Sequence, residues 1–437
     1  MRVPFPSASW LRFLSLFATL TMVAWFSPQA RTDPPQGLTA LFNGKDLTGW
    51  NGMPNFDPHK LAALPADKRK AHAEKWTTEA PKHWKVDRAE LVNLDGDAYL
   101  STEQDYGDIE LVAEFRVSPK ADGGILLRGT PQIQIVDASE GSKGSGGLSN
   151  NGEGAAGRVP LVKADKAAGQ WNRFRILQVG ERTTVYLNDK LVVDHVRMEN
   201  AWNRTRPLEK KGAIQLLVHS GEIRWREIAV REIPSTEANE ILRKRGADGF
   251  MDVFNGKDFT GWAGPIDQYE VSDGAIVCRP KKGGTIYTKD EYGNFMARVD
   301  YKLPPAGNNG LAIRYPGQGD TAYVGMCEIQ VLDDTAKVYE KLDARQYNGS
   351  AYGMVPAHRG YLRPVGEWNF EEVTIKGSTI KVELNGTIIL DTDLSKVTEY
   401  MNNRPHPGKN RETGHFGFAG HNDPVAFRNI QIRKLGE

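Results

Sequence analysis

The segment Leu41–Trp50 reads LFNGKDLTGW, and Val253–Trp262 reads VFNGKDFTGW. The two segments agree at eight of ten positions and start 212 residues apart in a chain of 437 residues. A period of roughly 200 residues is too long for a solenoid repeat, and it matches the usual size of a domain, about 100–200 residues. The sequence therefore predicts two homologous domains in tandem.

Other short motifs support the duplication, because they recur in the second half in the same order. From them we place the first domain at residues 38–233, a linker at 234–249 and the second domain at 250–437. The matched pairs are Glu103–Asp108 with Asp290–Asn294, Asp122–Arg128 with Asn308–Arg314, Gln132–Asp137 with Glu328–Asp333, Trp171–Asn172 with Trp368–Asn369, Val185–Asn188 with Val382–Asn385, and His219–Ile228 with His421–Ile430.

Between these motifs the sequence has the patterns of short strands. Ile109–Val117 and Phe295–Leu303 alternate with a period of two, which is typical of half-buried strands. Asn385–Gly386 separates two such runs and predicts a two-residue hairpin turn, as Asn188–Asp189 does in the first half. The 45 glycines and 24 prolines also favour many tight turns.

Two stretches favour a helix. The offset between the copies falls from 212 at the first motif to 186 at Asp122 and Asn308, so the first domain carries an insertion after Trp50. Residues 58–76 of this insertion are rich in helix-forming residues, and so is the linker segment 237–245. The predicted fold class is all-β: two tandem antiparallel β-sandwich domains with a short helical insertion and a helical linker. A parallel α/β sheet would need helices between its strands.

Composition and charge exclude several classes of protein. With 56 Lys and Arg against 55 Asp and Glu, the net charge of +1 argues against a nucleic-acid-binding protein. Residues 1–30 combine two arginines with the apolar stretch Leu11–Phe26, so we expect a signal peptide and an exported protein, periplasmic or extracellular. The stretch is shorter than the ~20 apolar residues of a membrane span, and no span is expected after its removal. Cys278 and Cys327 either form a disulfide or stay as buried free thiols.

Polar pairs on strands are the first candidate site residues. Residues i and i+2 of a strand share a face, so Glu328 and Gln330 project together, as do Gln132 and Gln134. Each pair lies either on a solvated outer face or in a wetted, concave sugar site, because burying unpartnered polar groups is costly.

Further candidates recur around these pairs. Arg128 and Arg314 end the Gly-rich strand that precedes each pair. An arginine there binds a sugar, stabilises an oxyanion or forms a structural ion pair. His219 and His421 precede the last strand of each copy and can transfer a proton near pH 7, although a lone histidine is more often structural. Tyr352 either assists proton transfer or serves in packing and sugar stacking.

The copies differ at one position that matters for catalysis. The second copy has Glu328 where the first has Gln132, and only the carboxylate can act as a base, so we place the catalytic centre in the second domain. The Gly- and Ser-rich loop 139–157 of the first domain is either a lid or a disordered tip. The chain contains no P-loop, HExxH, CxxC or GxSxG motif, and we assign no metal ligands.

Taken together, FNGKDLTGW, YGD before a long strand, NxGLxxR, EIQVLD, GEWN, LNG and the closing HxxPVxFRNI resemble the 3-keto-disaccharide hydrolase family. The resemblance covers nearly the whole chain after the signal peptide, as two copies. It implies a concanavalin-like, jelly-roll β-sandwich and a small carbohydrate substrate that is oxidised at carbon 3. It also makes a sugar 3-dehydrogenase of the same pathway a candidate partner, and the cofactor is left unknown. The first copy departs from the pattern at Gln132.

For such a substrate the resemblance implies an elimination. A ketone at carbon 3 acidifies the hydrogen on carbon 2, a base removes that hydrogen, and the leaving group departs from carbon 1. Addition of water then gives net hydrolysis, whereas release of the enol product gives a lyase. Our hypothesis on the matched positions is that Glu328 or His421 is the base. Arg314 would stabilise the enolate, and Gln330 and Asp333 would orient the sugar.

The remaining candidates are expected to bind the substrate: Tyr352, Arg128, Gln132, Gln134 and His219. Two other classes of protein stay open on the sequence. One is a non-catalytic, lectin-like carbohydrate-binding protein, and the other is a structural protein whose paired sandwiches mediate contacts between proteins. A conventional glycosidase is disfavoured, because the sequence shows no clear pair of catalytic carboxylates.

Overall fold

The computed structural model describes Met1 and residues 34–94, 96–139 and 141–436. Apart from Met1, the predicted signal peptide lies outside the described residues. Within the described part of the chain, no helix is long and apolar enough to cross a membrane.

The first domain is built from short strands, with two helices after the second strand. Helix α3, Ser235–Lys244, follows the domain and forms the linker. The elements of the domain in chain order are β1 Thr39–Ala40, β2 Trp50–Asn51, α1 Pro58–Ala63, α2 Ala66–His83, β3 Trp84–Asp87, β4 Glu90–Asn93, β5 Ala98–Thr102, β6 Ile109–Val117, β7 Asp122–Leu127, β8 Thr130–Val136, β9 Asn172–Val179, β10 Arg182–Leu187, β11 Lys190–Arg197, β12 Ile214–Ser220 and β13 Ile223–Glu232.

The second domain repeats this order, with a short helix before its edge strand. Its elements are β14 Met251–Asp252, β15 Trp262–Ala263, β16 Tyr269–Ser272, β17 Ala275–Cys278, β18 Gly283–Tyr292, β19 Phe295–Lys302, β20 Asn308–Tyr315, α4 Thr321–Val324, β21 Cys327–Leu332, β22 Trp368–Lys376, β23 Thr379–Leu384, β24 Thr387–Asp393, β25 Gly414–His421 and β26 Ala426–Lys434.

Each domain is a sandwich of two antiparallel sheets. In the first domain the larger sheet has the order β11-β10-β9-β6-β13-β4-β3, with β1 beside β13, and the smaller sheet has the order β2-β5-β12-β7-β8. In the second domain these sheets are β16-β17-β26-β19-β22-β23-β24, with β14 beside β26, and β15-β18-β25-β20-β21. The facing sides of the two sheets form one apolar core in each domain. The predicted fold class, including the helical insertion and the helical linker, is confirmed.

The repeated motif that opens each domain folds into the same turn. Asn43 Oδ1 accepts hydrogen bonds from two backbone amides further along the turn. The indole Nε1 of Trp50 donates to the carbonyl oxygen of Leu41 at 2.7 Å, and that of Trp262 donates to Val253 at 2.9 Å. Both indoles are buried in the core of their domain. The motif therefore fastens the start of each sandwich to its core.

The two cysteines are free and buried. Cys278 ends β17, and its Sγ lies 3.4 Å from the carbonyl oxygen of Lys282. Burial raises the pKa of Cys278 to about 11, so its thiol stays protonated at neutral pH. Of the two sequence alternatives, the structure has the free thiols.

The two domains meet across helix α3 and the turn between β23 and β24. Leu242 of α3 is buried against Val179 of the first domain and Phe370 of the second. The turn residues Asn385 and Gly386 have φ of +50° and +81°, as the predicted Asn-Gly hairpin requires. A Cβ on Gly386 would lie 2.6 Å from the carbonyl oxygen of Val179, so the turn is in close contact with the first domain.

Replacing Gly386 with alanine tests this contact. The matched control is Gly274→Ala, because Gly274 follows Asp273 in a turn of the same kind, has φ +73° and has nothing within 4 Å of its Cβ position. We expect the control to lose about 1 kcal/mol of stability from left-handed strain. Gly386→Ala loses about 1–3 kcal/mol more through overpacking. Denaturant unfolding measures both, and equal losses would contradict the close contact.

Candidate active site

Strand β21 carries the polar pair of the second domain. Ile329 and Val331 point into the core, so Glu328 and Gln330 project from the opposite face of the sheet. Both side chains are nevertheless buried, with residue exposures of 4% for Glu328 and 3% for Gln330. The pair therefore occupies a covered cleft rather than a solvated face.

Glycine in the neighbouring strand makes room for this carboxylate. Gly310 of β20 lies opposite Gln330, and a Cβ on Gly310 would lie 2.3 Å from Cγ of Glu328. Because glycine lacks that atom, the side chain of Glu328 crosses directly over β20. Gln330 is fixed by donating from Nε2 to Oδ1 of Asn308 at 2.7 Å. The motif NNG at 308–310 thus positions both members of the pair.

His421 supplies the partner of Glu328. It ends β25, which is paired with β20, and its Nε2 lies 3.6 Å from Oε1 of Glu328. The neighbouring carboxylate of Glu328 raises the pKa of His421 above its ordinary value. The imidazole is 49% exposed, whereas the carboxylate is buried. The pair therefore combines a buried carboxylate that can accept a proton with a solvent-accessible imidazole that, once protonated, can donate one.

Two cavities meet at this pair. The first cavity has a volume of about 290 Å³ and the second about 390 Å³, sizes near the lower end of ligand sites, about 300–1,000 Å³. Both are lined by Asp320, Glu328 and His421. The first is also lined by Asn308, Ala322, Tyr323, Gln330, Leu332, Tyr339, Leu342, Gln346, Tyr352 and Arg404. The second is also lined by Gly264, Pro265, Gly284, Thr285, Tyr287, Tyr315, Gly317, Gly319, Thr321, Ala419 and Gly420.

The first domain has larger side chains at the equivalent positions of its smaller sheet. Strand pairing aligns Ala312 with Gly417 in the second domain and Leu126 with Gln215 in the first. Gln215 is fully buried and donates from Nε2 to the carbonyl oxygen of Met53 at 3.2 Å. In the first domain, side chains therefore fill the place of the second domain's groove, and the segment before α1 covers it.

The predicted substrate-binding residues of the first domain bond to their own chain. Gln132 donates from Nε2 to the carbonyl oxygen of Gly123 at 2.7 Å, and Gln134 donates to Oδ1 of Asp122 at 2.5 Å. His219 lies 3.4 Å from Oδ1 of Asp97 at the surface. The structure does not gather these residues around an open groove of the kind found in the second domain.

The loop predicted to be a lid or a disordered tip is fixed in place. Ser149 donates from its backbone amide to the carbonyl oxygen of Gln132, and Gly146 donates to that of Gln134. Leu148 is fully buried in the core. These contacts join residues 146–149 to the edge of β8, so this part of the loop is packed against the sheet and is not a disordered tip.

Arg128 and Arg314 require a correction. Each has a positive φ, +55° and +48°, at the end of its strand, and the pairing of β20 with β25 is irregular between Ala312 and Tyr315. The bulge turns Arg314 away from Glu328, and Nη2 donates to the carbonyl oxygen of Gly293 at 2.8 Å. Arg314 lines a separate cavity of about 720 Å³ that does not include Glu328.

The same arrangement recurs in the first copy. Arg128 donates from Nη2 to the carbonyl oxygen of Gly107 at 2.7 Å and lies 3.2 Å from Oδ1 of Asp108. Gly107 and Gly293 belong to the YGD and YGN motifs, so both arginines anchor the same turn. The predicted roles of Arg314 on an enolate and of Arg128 on a sugar do not fit these positions, because both guanidinium groups are occupied by the chain.

Asp333 and Tyr352 differ in their placement. Asp333 accepts hydrogen bonds from the backbone amides of Thr335 at 3.0 Å and Ala306 at 2.8 Å. It therefore closes a loop and lies outside the residues that line the two cavities, which corrects its predicted contact with the sugar. Tyr352 lines the first cavity, where its hydroxyl accepts a hydrogen bond from Nε2 of Gln346 at 3.1 Å.

Several residues of the cleft were missed from the sequence, among them Asp320, Tyr323 and Arg404. Asp320 precedes α4 and lines both cavities, and the guanidinium of Arg404 lies 3.4 Å from the ring centroid of Tyr323. Asp320 and Tyr323 belong to a segment of ten residues that the first copy lacks. In the sequence, this insertion shows only as a rise in the offset between the copies, from 186 at Arg128 and Arg314 to 196 at Gln132 and Glu328.

The fold and the cleft define a class of protein, namely tandem β-sandwich domains of which the second carries a carboxylate–imidazole pair at the junction of two cavities. A family model described as the 3-keto-alpha-glucoside-1,2-lyase-like domain matches residues 37–231 and 249–433. The chain belongs to this family.

Three proteins with assigned descriptions are similar to part of this chain. A 3-keto-disaccharide hydrolase of Bacteroides thetaiotaomicron is 26% identical over an alignment of 255 positions that covers 48% of this chain and 87% of the relative. A crystal structure described provisionally as a glycosyl hydrolase from Parabacteroides distasonis is 27% identical, with a TM-score of 0.38, over 43% of this chain and 99% of that one. A carbohydrate-binding module from Bacillus subtilis is 15% identical, with a TM-score of 0.23, over 43% and 96%.

The charge state of the pair can be measured directly. We expect the pKa of His421 in the folded protein to lie above the ordinary histidine value of about 6.5. It should fall in Glu328→Gln, because the negative partner is gone. Folding raises this pKa, so the pair stabilises the domain at low pH, and that stabilisation is lost as the pH rises through the raised value.

Histidine-selective NMR titration measures this pKa. The control is Gln132→Ala, which changes the equivalent residue of the first domain and should leave the titration of His421 unaltered. The same His421 pKa in the wild type and in Glu328→Gln would show that the two side chains are not electrostatically coupled.

Proposed function

We propose that the second domain cleaves glycosides oxidised at carbon 3 of the sugar, and that Glu328 and His421 perform the proton transfers. The observation that supports this most is the position of the pair, 3.6 Å apart at the junction of two cavities on a glycine- and alanine-lined sheet face. A buried carboxylate beside an imidazolium matches the base and acid that the elimination needs.

In this mechanism Glu328 is the base. Its carboxylate takes the hydrogen from carbon 2 as a proton, and the electron pair of that C–H bond moves toward the carbonyl at carbon 3, which becomes an enolate. The enolate then re-forms the ketone, a double bond forms between carbons 1 and 2, and the bond from carbon 1 to the leaving oxygen breaks. His421 gives its proton to that oxygen.

Groups of the first cavity would stabilise the enolate. Arg404 is the arginine that lines it, and the hydroxyl of Tyr352 and the amide of Gln346 lie on the same wall. Positive charge and hydrogen-bond donors aimed at a developing oxyanion lower the barrier to its formation. Water adding to carbon 1 of the unsaturated ketone completes hydrolysis, whereas release of that ketone makes the enzyme a lyase.

The first domain would be a non-catalytic copy, because its groove is filled and Gln132 replaces the base. We also propose that residues 1–30 direct export to the periplasm or the extracellular space. The substrate would be supplied by a sugar 3-dehydrogenase of the same pathway, since an oxidation at carbon 3 must precede the elimination.

Release of nitrophenol from a nitrophenyl 3-keto-glucoside and from its unoxidised parent tests this proposal. We expect release from the keto form alone. Glu328→Gln should lower kcat about 10²–10⁴-fold, the usual contribution of general acid–base catalysis. Gln132→Ala, the matched change in the first domain, should retain activity. Equal release from the unoxidised parent, or normal turnover by folded Glu328→Gln, would refute the mechanism.

A second experiment distinguishes the role of His421 as the acid from the role of Glu328 as the base. A nitrophenolate leaves without protonation, whereas a sugar alkoxide needs an acid. We therefore expect His421→Ala to lower turnover of a 3-keto-disaccharide at least about 100-fold. Its effect on the nitrophenyl substrate should be much smaller, whereas Glu328→Gln should impair both. Equal losses for the two substrates in His421→Ala would argue against His421 as the acid.

A further inference from the structure

The two cavities that meet at Glu328 and His421 differ in the chemistry of their walls. Arg404, Gln346 and Gln330 line the first cavity and supply hydrogen-bond donors. The residues that line the second cavity, all of them in the described part of the chain, include neither lysine nor arginine. The enolate oxygen is therefore better accommodated in the first cavity.

An aromatic side chain forms a wall of the second cavity. Tyr287 of β18 is half-buried, and its ring lies edge-on to Tyr315 with centroids 5.4 Å apart. On another side it contacts the ring of His415 at 4.7 Å. These neighbours restrict the ring of Tyr287 while part of it stays open to the cavity, as is needed for an aromatic side chain that packs against a sugar ring.

Tyr287 and Glu328 lie on one face of the smaller sheet, and only small residues separate them in the strand pairing. Strand pairing places the two residues in one row across the sheet, with Gly417 and Ala312 between them. Three strand spacings of about 4.8 Å separate their backbones by about 14 Å. Tyr287 and Glu328 both line the second cavity, together with the small residues Gly284, Ala419 and Gly420, so a ring bound in this cavity would contact Glu328 at one end and Tyr287 at the other.

The first domain has different residues at the positions equivalent to Tyr287, Gly417, Ala312 and Glu328. Pairing with Gln215 places Ser101 at the position of Tyr287, and Leu126 replaces Ala312. In the adjacent row Leu217 occupies the position of Ala419, which lines the second cavity. The aromatic wall, the small residues and the base are therefore present together in one copy and absent together from the other.

We propose that the second cavity is the leaving-group subsite and that it accepts a pyranose ring packed against Tyr287, while the oxidised ring occupies the first cavity. This rests on the proposed function. The preferred substrates are then oxidised glycosides whose leaving group is a second sugar, and small alkyl leaving groups are poorer because they leave the second cavity empty.

The test is the ratio of kcat/KM for a 3-keto-disaccharide to kcat/KM for a methyl 3-keto-glucoside, measured on the full chain. Tyr287→Ala should lower this ratio about tenfold, because the aromatic contact is lost. Tyr287→Phe keeps the ring and should keep the ratio. Ala419→Leu, which introduces the residue of the first domain, should lower the ratio independently by filling the cavity.

The control variant is Tyr352→Phe. Tyr352 lines the first cavity, so its loss affects both substrates alike and the ratio stays constant. An unchanged ratio in Tyr287→Ala and in Ala419→Leu, with the wild type active on both substrates, overturns the subsite alone. Failure of the wild type to turn over either substrate overturns the proposed function, and the subsite with it.

Discussion

The site depends on the contact between the side chain of Glu328 and the backbone of Gly310. Because Gly310 has no Cβ, the carboxylate lies flat across β20 and reaches His421 on the next strand. A buried carboxylate is costly unless it is partnered, and the imidazole of His421 lies 3.6 Å away, where its protonated form supplies the opposite charge. The same contact raises the pKa of His421, so one packing detail sets both the geometry and the charge state of the pair.

The duplication shows how little of the scaffold has to change for a groove to open or close. Both copies keep glycine at 124 and 310, and in both the polar side chain of the edge strand lies over that glycine. What differs is the size of the neighbours: Gln215 and Leu217 in one copy, Gly417 and Ala419 in the other. The sandwich core is unaffected, because these residues project from the opposite face of the sheet.

Most of the fold was predictable, because strand alternation and turn chemistry are local. β6 spans the predicted residues 109–117, and the Asn385–Gly386 turn forms where expected. Glu328 and His421 could be selected because the repeat aligned them with a glutamine and a histidine in the first copy. Arg314 was misassigned because a positive φ on a non-glycine residue at a bulge reverses its direction, and neither pattern nor spacing indicates that. Asp320 and Arg404 come from loops, whose approach to the cleft is decided by tertiary packing.

The first domain, whose groove is filled, still contributes to the second domain through the interface between them. The guanidinium of Arg182 in the first domain is ion-paired with Glu383 of β23, whose residue exposure is only 2%, and Arg245 at the end of the linker helix lies 3.0 Å from the same carboxylate. Removing one partner of a buried ion pair leaves the other charge uncompensated, at a cost of several kcal/mol. The hairpin β23–β24 belongs to the larger sheet of the second domain, so its anchorage extends to the sandwich that carries the cleft. The first domain therefore contributes contacts that support the larger sheet of the second, which is why the full chain is the appropriate unit for testing the second domain.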